Sequence, residues 1–400
     1  MTRMNGRERF LTALEGGQPD RVPVFDWIDE RVVWGMARLL GWDVRPPETS
    51  GEATRHGEET DEVLDVYARL IDALELDATW SAYSTGLKPE TPDWGVDKYG
   101  RGFMLSEHGI PAVMDSPLKT VADVETFDMA ARLERTDFRM LEFMVSRFGR
   151  EKFHLQSING PFQEGWLCRG GMDKSFLDMG EDPEMAHAIG RLTTDFNKAC
   201  IDMAAEIGAD GVILDGDLTG NDYMLMSMEH FREFNKPYKQ EIIDYGHSKG
   251  LKVCKHSDGN MWALMDEMID LGFDGFHPVQ PQCMDLAEVK AWFDGRVCMF
   301  GNVDCLDLLV YGTPEQVRED TRRAIEQGAP GGGLILCSSN SLHPGCRPEN
   351  ALAMFRAAKE FGDYRDIASA PLVRKDDLDF AALAKEPKRA RVRHRRSRAA

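Results

Sequence analysis

Short apolar runs that end in polar clusters recur along the chain. Val22-Pro23-Val24-Phe25 runs into Asp26, Leu74-Glu75-Leu76 into Asp77, and Phe153-His154-Leu155-Gln156 into Ser157 and Asn159. Gly211-Val212-Ile213-Leu214 ends in Asp215 and Asp217, and Leu251-Lys252-Val253-Cys254 in His256-Ser257-Asp258-Gly259-Asn260. Asp274-Gly275-Phe276 ends in His277 and Gln280, Val297-Cys298-Met299-Phe300 in Asn302 and Asp304, and Gly333-Leu334-Ile335-Leu336 in residues 337–340. These eight runs predict eight strands whose carboxyl ends carry the chemistry.

Helical patterns alternate with the runs. An apolar stripe over residues 183–207 (Met185, Ile189, Leu192, Phe196, Met203, Ile207) stops at Gly208, a suitable helix C-cap. Thr313-Pro314-Glu315 opens another helix with a capping residue, a proline in the first turn and an early acid, and residues 349–361 form the last one. The alternation predicts an α/β fold with a parallel sheet, as a barrel or an open doubly wound sheet. Residues 1–20 read as a short helix, with Phe10, Leu11 and Leu14 on one face, capping one end of the catalytic body at 21–366. Residues 46–60 and 88–102 read as insertions or loops.

At 400 residues, one barrel domain with embellishments is the economical reading. The formal net charge of −20 argues against a nucleic-acid-binding body. The end of the chain reverses this sign: residues 385–400 carry eight Lys/Arg against one Glu, and residues 380–400 read as a basic tail too poor in apolar groups to fold. The eight cysteines are scattered without a CxxC pair, as expected of reduced thiols in a cytoplasmic protein. No apolar run approaches the roughly 20 residues of a membrane span, and Arg3, Arg7, Glu8 and Arg9 interrupt any signal segment.

His256 and Asp258 at a strand end are the leading catalytic candidates, with Asp217, better placed than Asp215, beside them. The same residues could hold a divalent ion through nitrogen and oxygen. Asp26, Asn159, His277, Gln280, Asn302, Asp304, Asn340 and His343 occupy other strand ends and are candidate substrate contacts. Four have a plainer alternative: a helix cap for Asp304, a core position for His277, a polar loop for Asn340 and His343. Met224, Met226 and Met228, with Trp27, Trp80, Tyr83 and Trp94, read mainly as packing, although rings at a barrel mouth suit a flat apolar ligand.

The segments Glu8-Arg9-Phe10-Leu11-Thr12-Ala13-Leu14 and Pro19-Asp20-Arg21-Val22-Pro23-Val24 resemble the opening of the uroporphyrinogen decarboxylase superfamily, especially its cobalamin-dependent methyltransferase branch. Asn159-Gly160-Pro161-Phe162, Ala209-Asp210-Gly211-Val212, Lys255-His256-Ser257-Asp258-Gly259, Asn302-Val303-Asp304 and Pro348-Glu349-Asn350 agree, so the likeness runs from residue 4 to 364. It implies a (β/α)8 TIM barrel. Decarboxylases of the superfamily resemble one another in an arginine motif after the first strand, where this chain has Phe25-Asp26-Trp27-Ile28-Asp29-Glu30.

Thiol-methylating members resemble one another in a zinc site of His-x-Cys after the fifth strand plus a Cys after the eighth. This chain keeps His256 but has Asp258 and Asn340 at the cysteine positions, with Cys337 and Cys346 nearby. Fewer thiolates make a stronger Lewis acid, suited to an oxygen leaving group. The resemblance therefore implies an O-demethylase component: a methyltransferase moving a methyl group from a small methoxylated, even aromatic, compound to a corrinoid protein. Zinc is the expected ion, and cobalamin is expected to be supplied by the partner, since no Asp-x-His-x-x-Gly module is present. A decarboxylase, a methyl-corrinoid:thiol or folate methyltransferase, a non-catalytic corrinoid or tetrapyrrole binder, and a homo-oligomer all stay open.

Overall fold

A computed structural model of the protein describes residues 3–45, 60–105, 111–367 and 373–383. In chain order the strands are β1 (Ala78–Ala82), β2 (Lys88–Thr91), β3 (Trp94–Val96), β4 (Gly102–Met104), β5 (Ala112–Asp115), β6 (Phe153–Asn159), β7 (Gly211–Asp215), β8 (Lys252–His256), β9 (Gly275–His277), β10 (Cys298–Phe300) and β11 (Leu334–Ile335). Strands β1, β6, β7, β8, β9, β10 and β11 pair in that order, all parallel, in one curled sheet. Residues 22–25 supply the eighth stave. Leu336 N donates to Pro23 O at 2.8 Å and Phe25 N to Leu336 O at 3.2 Å, while Asp77 N donates to Val24 O at 2.8 Å on the other side. The sheet thus closes as a (β/α)8 barrel, which leaves no exposed sheet edge.

Strand alternation separates two packing layers. Trp80, Leu155, Ile213, Cys254, Phe300 and Ile335 fill the barrel with Phe25. Val212, Leu214, Val253, Phe276, Met299 and Leu334 face the surrounding helices. Helix Gly6–Leu14, started by a capping box between Asn5 and Glu8, plugs the amino-terminal end of the barrel. Its fully buried Phe10 stacks on Phe153 at 4.5 Å and meets Phe25 and Phe300 edge-on at 5.2 and 5.8 Å.

Residues 74–76 are not a strand. Leu74 ends helix Asp61–Ala73, Glu75 turns the chain with φ +48°, and the strand begins at Ala78. Asp77 consequently lies at the plugged end, where Arg9 Nη1 (2.6 Å), Arg21 Nη1 (2.8 Å) and Val24 N (2.8 Å) donate to it. A helix end and a strand start had merged into one apolar run. Residues 88–102 lie outside the barrel, as an insertion should, and belong to the antiparallel sheet β2-β3-β4-β5 with its own small core of Leu87, Phe103 and Val113.

Helix Pro183–Ile207 ends at Gly208 with φ +116°, and Thr313 caps helix Pro314–Gly328 through a capping box with Gln316. Helix Pro348–Phe361 begins one residue before the expected position. The eight cysteines are free and buried. Among the described residues no helix is long and apolar enough to cross a membrane. Residues 46–59 and 384–400, which hold nearly all of one expected insertion and most of the basic tail, lie outside the described residues. Residues 380–383, expected within that tail, are helical, and Phe380 stacks on Trp292 at 4.5 Å.

Candidate active site

The loops after β7 and β8 are laced together at the carboxyl end of the barrel. Leu218 N donates to Ser257 Oγ (3.0 Å), Thr219 Oγ1 to Asp258 O (2.8 Å), Asn260 N to Gly220 O (2.9 Å) and Asp258 N to Asp217 Oδ1 (3.0 Å). Gly259 makes this contact feasible: its φ is +92°, and a Cβ there would lie 2.6 Å from Gly220 O. Gln280 secures the same loop, accepting from Gly259 N at 2.8 Å.

Inside this frame Asp217, His256 and Asp258 converge, each offering a ligand atom within 4.8 Å of the others. His256 Nε2 lies 4.0 Å from Asp217 Oδ1. Asn340 Nδ2 donates to Asp258 Oδ2, while Asp258 Oδ1 is buried without a hydrogen-bond partner. Burial pushes the Asp258 carboxyl up to about 6, with Asp217 adding to the rise and His256 opposing it. An acceptor-only atom buried without a donor calls for a cation or a proton. Two carboxylates and an imidazole fit zinc or another divalent ion, and this ligand group contains no cysteine.

Behind the triad, Asp215 accepts from Ser157 Oγ, its other oxygen lacks a partner, and burial raises its carboxyl. Lys255 is fully buried, and its Nζ donates to Gly216 O (2.7 Å), Leu214 O (3.2 Å) and His256 O. Burial lowers this ammonium to about 8, against the pull of Asp217, Asp215 and Asp258. Its three donors tie the ends of β7 and β8 together and place positive charge behind the carboxylates.

Asn159 sits at the end of β6 in register with Asp215. Its Nδ2 donates to Glu164 Oε2 (2.7 Å) and Tyr83 Oη (3.1 Å), and Tyr83 Oη donates to the same Oε2 (2.8 Å). Arg101 bonds the other Glu164 oxygen and reaches Asp97 at 2.6 Å, so the inserted sheet braces this side of the site. His277 lies under His256, with the two Nδ1 atoms 2.8 Å apart, and Trp80 packs against both rings at 6.4 and 5.1 Å. Burial, with His256 adding to it, pushes the His277 imidazole well below its ordinary value. At 1% exposure His277 supports the site from within the barrel; it does not line an open surface.

Four expected substrate contacts also make bonds within the scaffold. Asp26 is buried and accepts from Ser338 N (2.7 Å) and Ser338 Oγ (3.0 Å), locking the first stave to the last. Asp304 caps the following turn through Leu306 N (2.9 Å) and Asp307 N (3.2 Å) and takes Gln282 Nε2 (2.8 Å). His343 spends both ring nitrogens on backbone, at Cys305 O (2.9 Å) and Gly345 N (3.1 Å). Asn302 is fully buried, with Oδ1 3.4 Å from Arg323 Nη2. Sequence reasoning missed Lys255, Glu164, Arg101 and Ser157 as supports. Ser157 carried a signal as a polar residue closing an apolar run, and Lys255 as a charge directly before the candidate His256.

Residues 96–361 match the family model described as uroporphyrinogen decarboxylase (URO-D). The chain is 25% identical over 234 residues to the methylcobamide:CoM methyltransferase MtbA of Methanosarcina acetivorans, covering 56% of this chain and 66% of the relative. It is 29% identical over 204 residues to the methylated-thiol–coenzyme M methyltransferase of Methanosarcina mazei, covering 50% and 48%. A uroporphyrinogen decarboxylase of Hydrogenovibrio crunogenus is 25% identical over 264 residues, covering 62% and 71%. The chain thus spans slightly less than two thirds of the first relative and about half of the second. A solved structure, a methyltransferase from Methanosarcina mazei, superposes with a TM-score of 0.69 at 20% identity, covering 90% of this chain and 99% of that one, which establishes the fold. On the match over residues 96–361, the chain belongs to the uroporphyrinogen decarboxylase family.

Proposed function

We propose that the protein is the demethylating component of a corrinoid methyl-transfer system, taking a methyl group from a small methoxylated compound and passing it to cobalamin carried by a separate corrinoid protein. The carrying observation is the Asp217–His256–Asp258 cluster, with a buried, unpartnered carboxylate oxygen and no thiolate. Relatives named as methyltransferases support methyl transfer. Asp217, His256 and Asp258 would hold a divalent ion, which would supply Lewis acidity for an ether oxygen leaving group. Asn340 orients Asp258, Gln280 and Thr219 fix the loop that carries it, and Lys255 offsets the crowded negative charge. Decarboxylation of a polyanionic substrate is disfavoured. The segment after the first stave is acidic, and Arg31 beside it is bonded to Asp29 at 3.0 Å.

The test is incubation with a reduced corrinoid protein and a panel of methoxylated compounds, read by the cobalt absorption change on methylation. His256→Ala should lose most bound zinc and most activity. Demethylation of methyl-corrinoid by a thiol or folate, with no response to any methoxylated donor, would reverse the assigned direction. Stoichiometric zinc in His256→Ala would place the ion elsewhere.

A further inference from the structure

We infer that His277 is a positioning residue that sets which nitrogen of His256 carries the proton, leaving the His256 Nε2 lone pair aimed at the carboxylate pair. The consequence for metal binding rests on the divalent-ion reading of the same site; the ring state itself does not. β8 and β9 pair His256 with His277 in register, so both imidazoles project from adjacent strands. Ser257 N donates to His277 O at 2.9 Å and fixes that alignment next to the site loop. The ring centroids lie 5.0 Å apart, with Nδ1 facing Nδ1 at 2.8 Å.

Two ring nitrogens at this separation share one hydrogen. With none, two lone pairs oppose each other, and with two, the hydrogens collide. For two neutral rings, two arrangements remain. If His256 Nδ1–H donates, His256 Nε2 is bare, 4.0 Å from Asp217 Oδ1, and His277 keeps its hydrogen on Nε2. If His277 donates, His256 Nε2 is protonated and cannot act as a ligand, and His277 Nε2 is left as a bare lone pair.

The surroundings of His277 Nε2 decide between them. That atom is buried without a hydrogen-bond partner. The ring is enclosed by Trp80, Phe300 and Phe25, at centroid distances of 5.1, 6.0 and 6.5 Å and inclined at 65°, 80° and 67°. Aromatic rings can accept an N–H, whereas a lone pair needs a donor, and no donor, the Trp80 indole N–H included, bonds this atom. The cage therefore favours the hydrogen on His277 Nε2, which makes His277 Nδ1 the acceptor and His256 Nδ1 the donor. Metal-ligating histidines are held by this kind of outward N–H bond, whose loss typically costs about 10–100-fold in affinity.

The test compares wild type with His277→Phe, which keeps ring shape but removes the acceptor, and His277→Asn, whose Oδ1 restores an acceptor near the Nδ1 position. Zinc affinity is measured by chelator competition, and the ring nitrogens of His256 are read by ¹⁵N NMR in the metal-free protein at pH 9. His277→Phe should bind zinc about 10–100-fold more weakly, and His277→Asn should recover most of that loss. Wild-type His256 should show a protonated Nδ1 and a bare Nε2. A protonated His256 Nε2 in wild type, or wild-type zinc affinity in His277→Phe, would overturn the inference. If wild type binds no zinc, the divalent-ion reading fails, and the NMR spectrum alone still decides the role of His277. If His277→Phe does not fold, wild-type NMR and His277→Asn carry the decision.

Discussion

Asp258→Asn separates the electrostatic cost of the site from its ligand function. The Asp258 carboxyl is raised from 3.8 to about 6, chiefly by burial. A folded-state value above the unfolded one means that the protonated acid favours the fold. That contribution is complete below about pH 4 and is lost as pH rises through about 6. Above that window the ionised group costs the metal-free protein up to about 3 kcal/mol, at about 1.4 kcal/mol per pK unit. Partial exposure of the side chain reduces the usable figure to about 2 kcal/mol. Asparagine keeps the shape, and its Oδ1 can still accept from Asn340.

In chelator at pH 8, Asp258→Asn should therefore be about 2 kcal/mol more stable than wild type, and at pH 4 nearly equal to it. Unfolding entropy near 2.1 cal/mol/K per residue converts this to a Tm rise of roughly 2–3 °C for a chain of 400 residues. Zinc should reverse the order. At 1,000 times its Kd a ligand stabilises by about 4 kcal/mol, and the variant, short of one ligand, should gain little. Differential scanning calorimetry at both pH values, with and without zinc, measures all four states. A variant no more stable than wild type in chelator at pH 8, or equal zinc stabilisation of both proteins, would refute the reasoning.

Asp258→Cys should keep the metal but cut demethylation at least about tenfold, because a thiolate donates more charge and weakens the Lewis acid; unchanged turnover with one zinc per chain would dissociate Asp258 from the chemistry. Asp26→Asn should preserve kcat/KM, since the amide can accept from Ser338 N and donate to Ser338 Oγ. Burial raises the Asp26 carboxyl from 3.8 to about 8, so this variant should gain relative stability as pH rises from about 4 to about 8, and a tenfold loss in kcat/KM would return Asp26 to the substrate. Gly259→Ala should cost about 2–4 kcal/mol in urea denaturation, combining left-handed backbone strain with overpacking, and should weaken metal binding; a neutral result would show that the two loops are not clamped at this point.

The barrel and the core of its candidate site were legible in the sequence because both depend on local order. Period-two alternation put Ile213, Cys254 and His256 on one side of their strands, and the polar residues that follow necessarily fall at carboxyl ends. That is enough to nominate Asp217, His256 and Asp258 together. The run at residues 74–76 misled because helix ends and strand starts are both apolar, and only hydrogen bonding distinguishes them. The roles of the remaining polar residues were set by partners far along the chain. Asp26 is claimed by Ser338, 312 residues away, once the barrel closes. His277 meets His256 only through the β8–β9 register, and His343 turns to Cys305 O across 38 residues. A strand-end polar residue can face the mouth, the barrel interior or the helix layer. Sequence places it at the end of the strand, but closure, register and the competition for buried hydrogen-bond partners decide which way it faces.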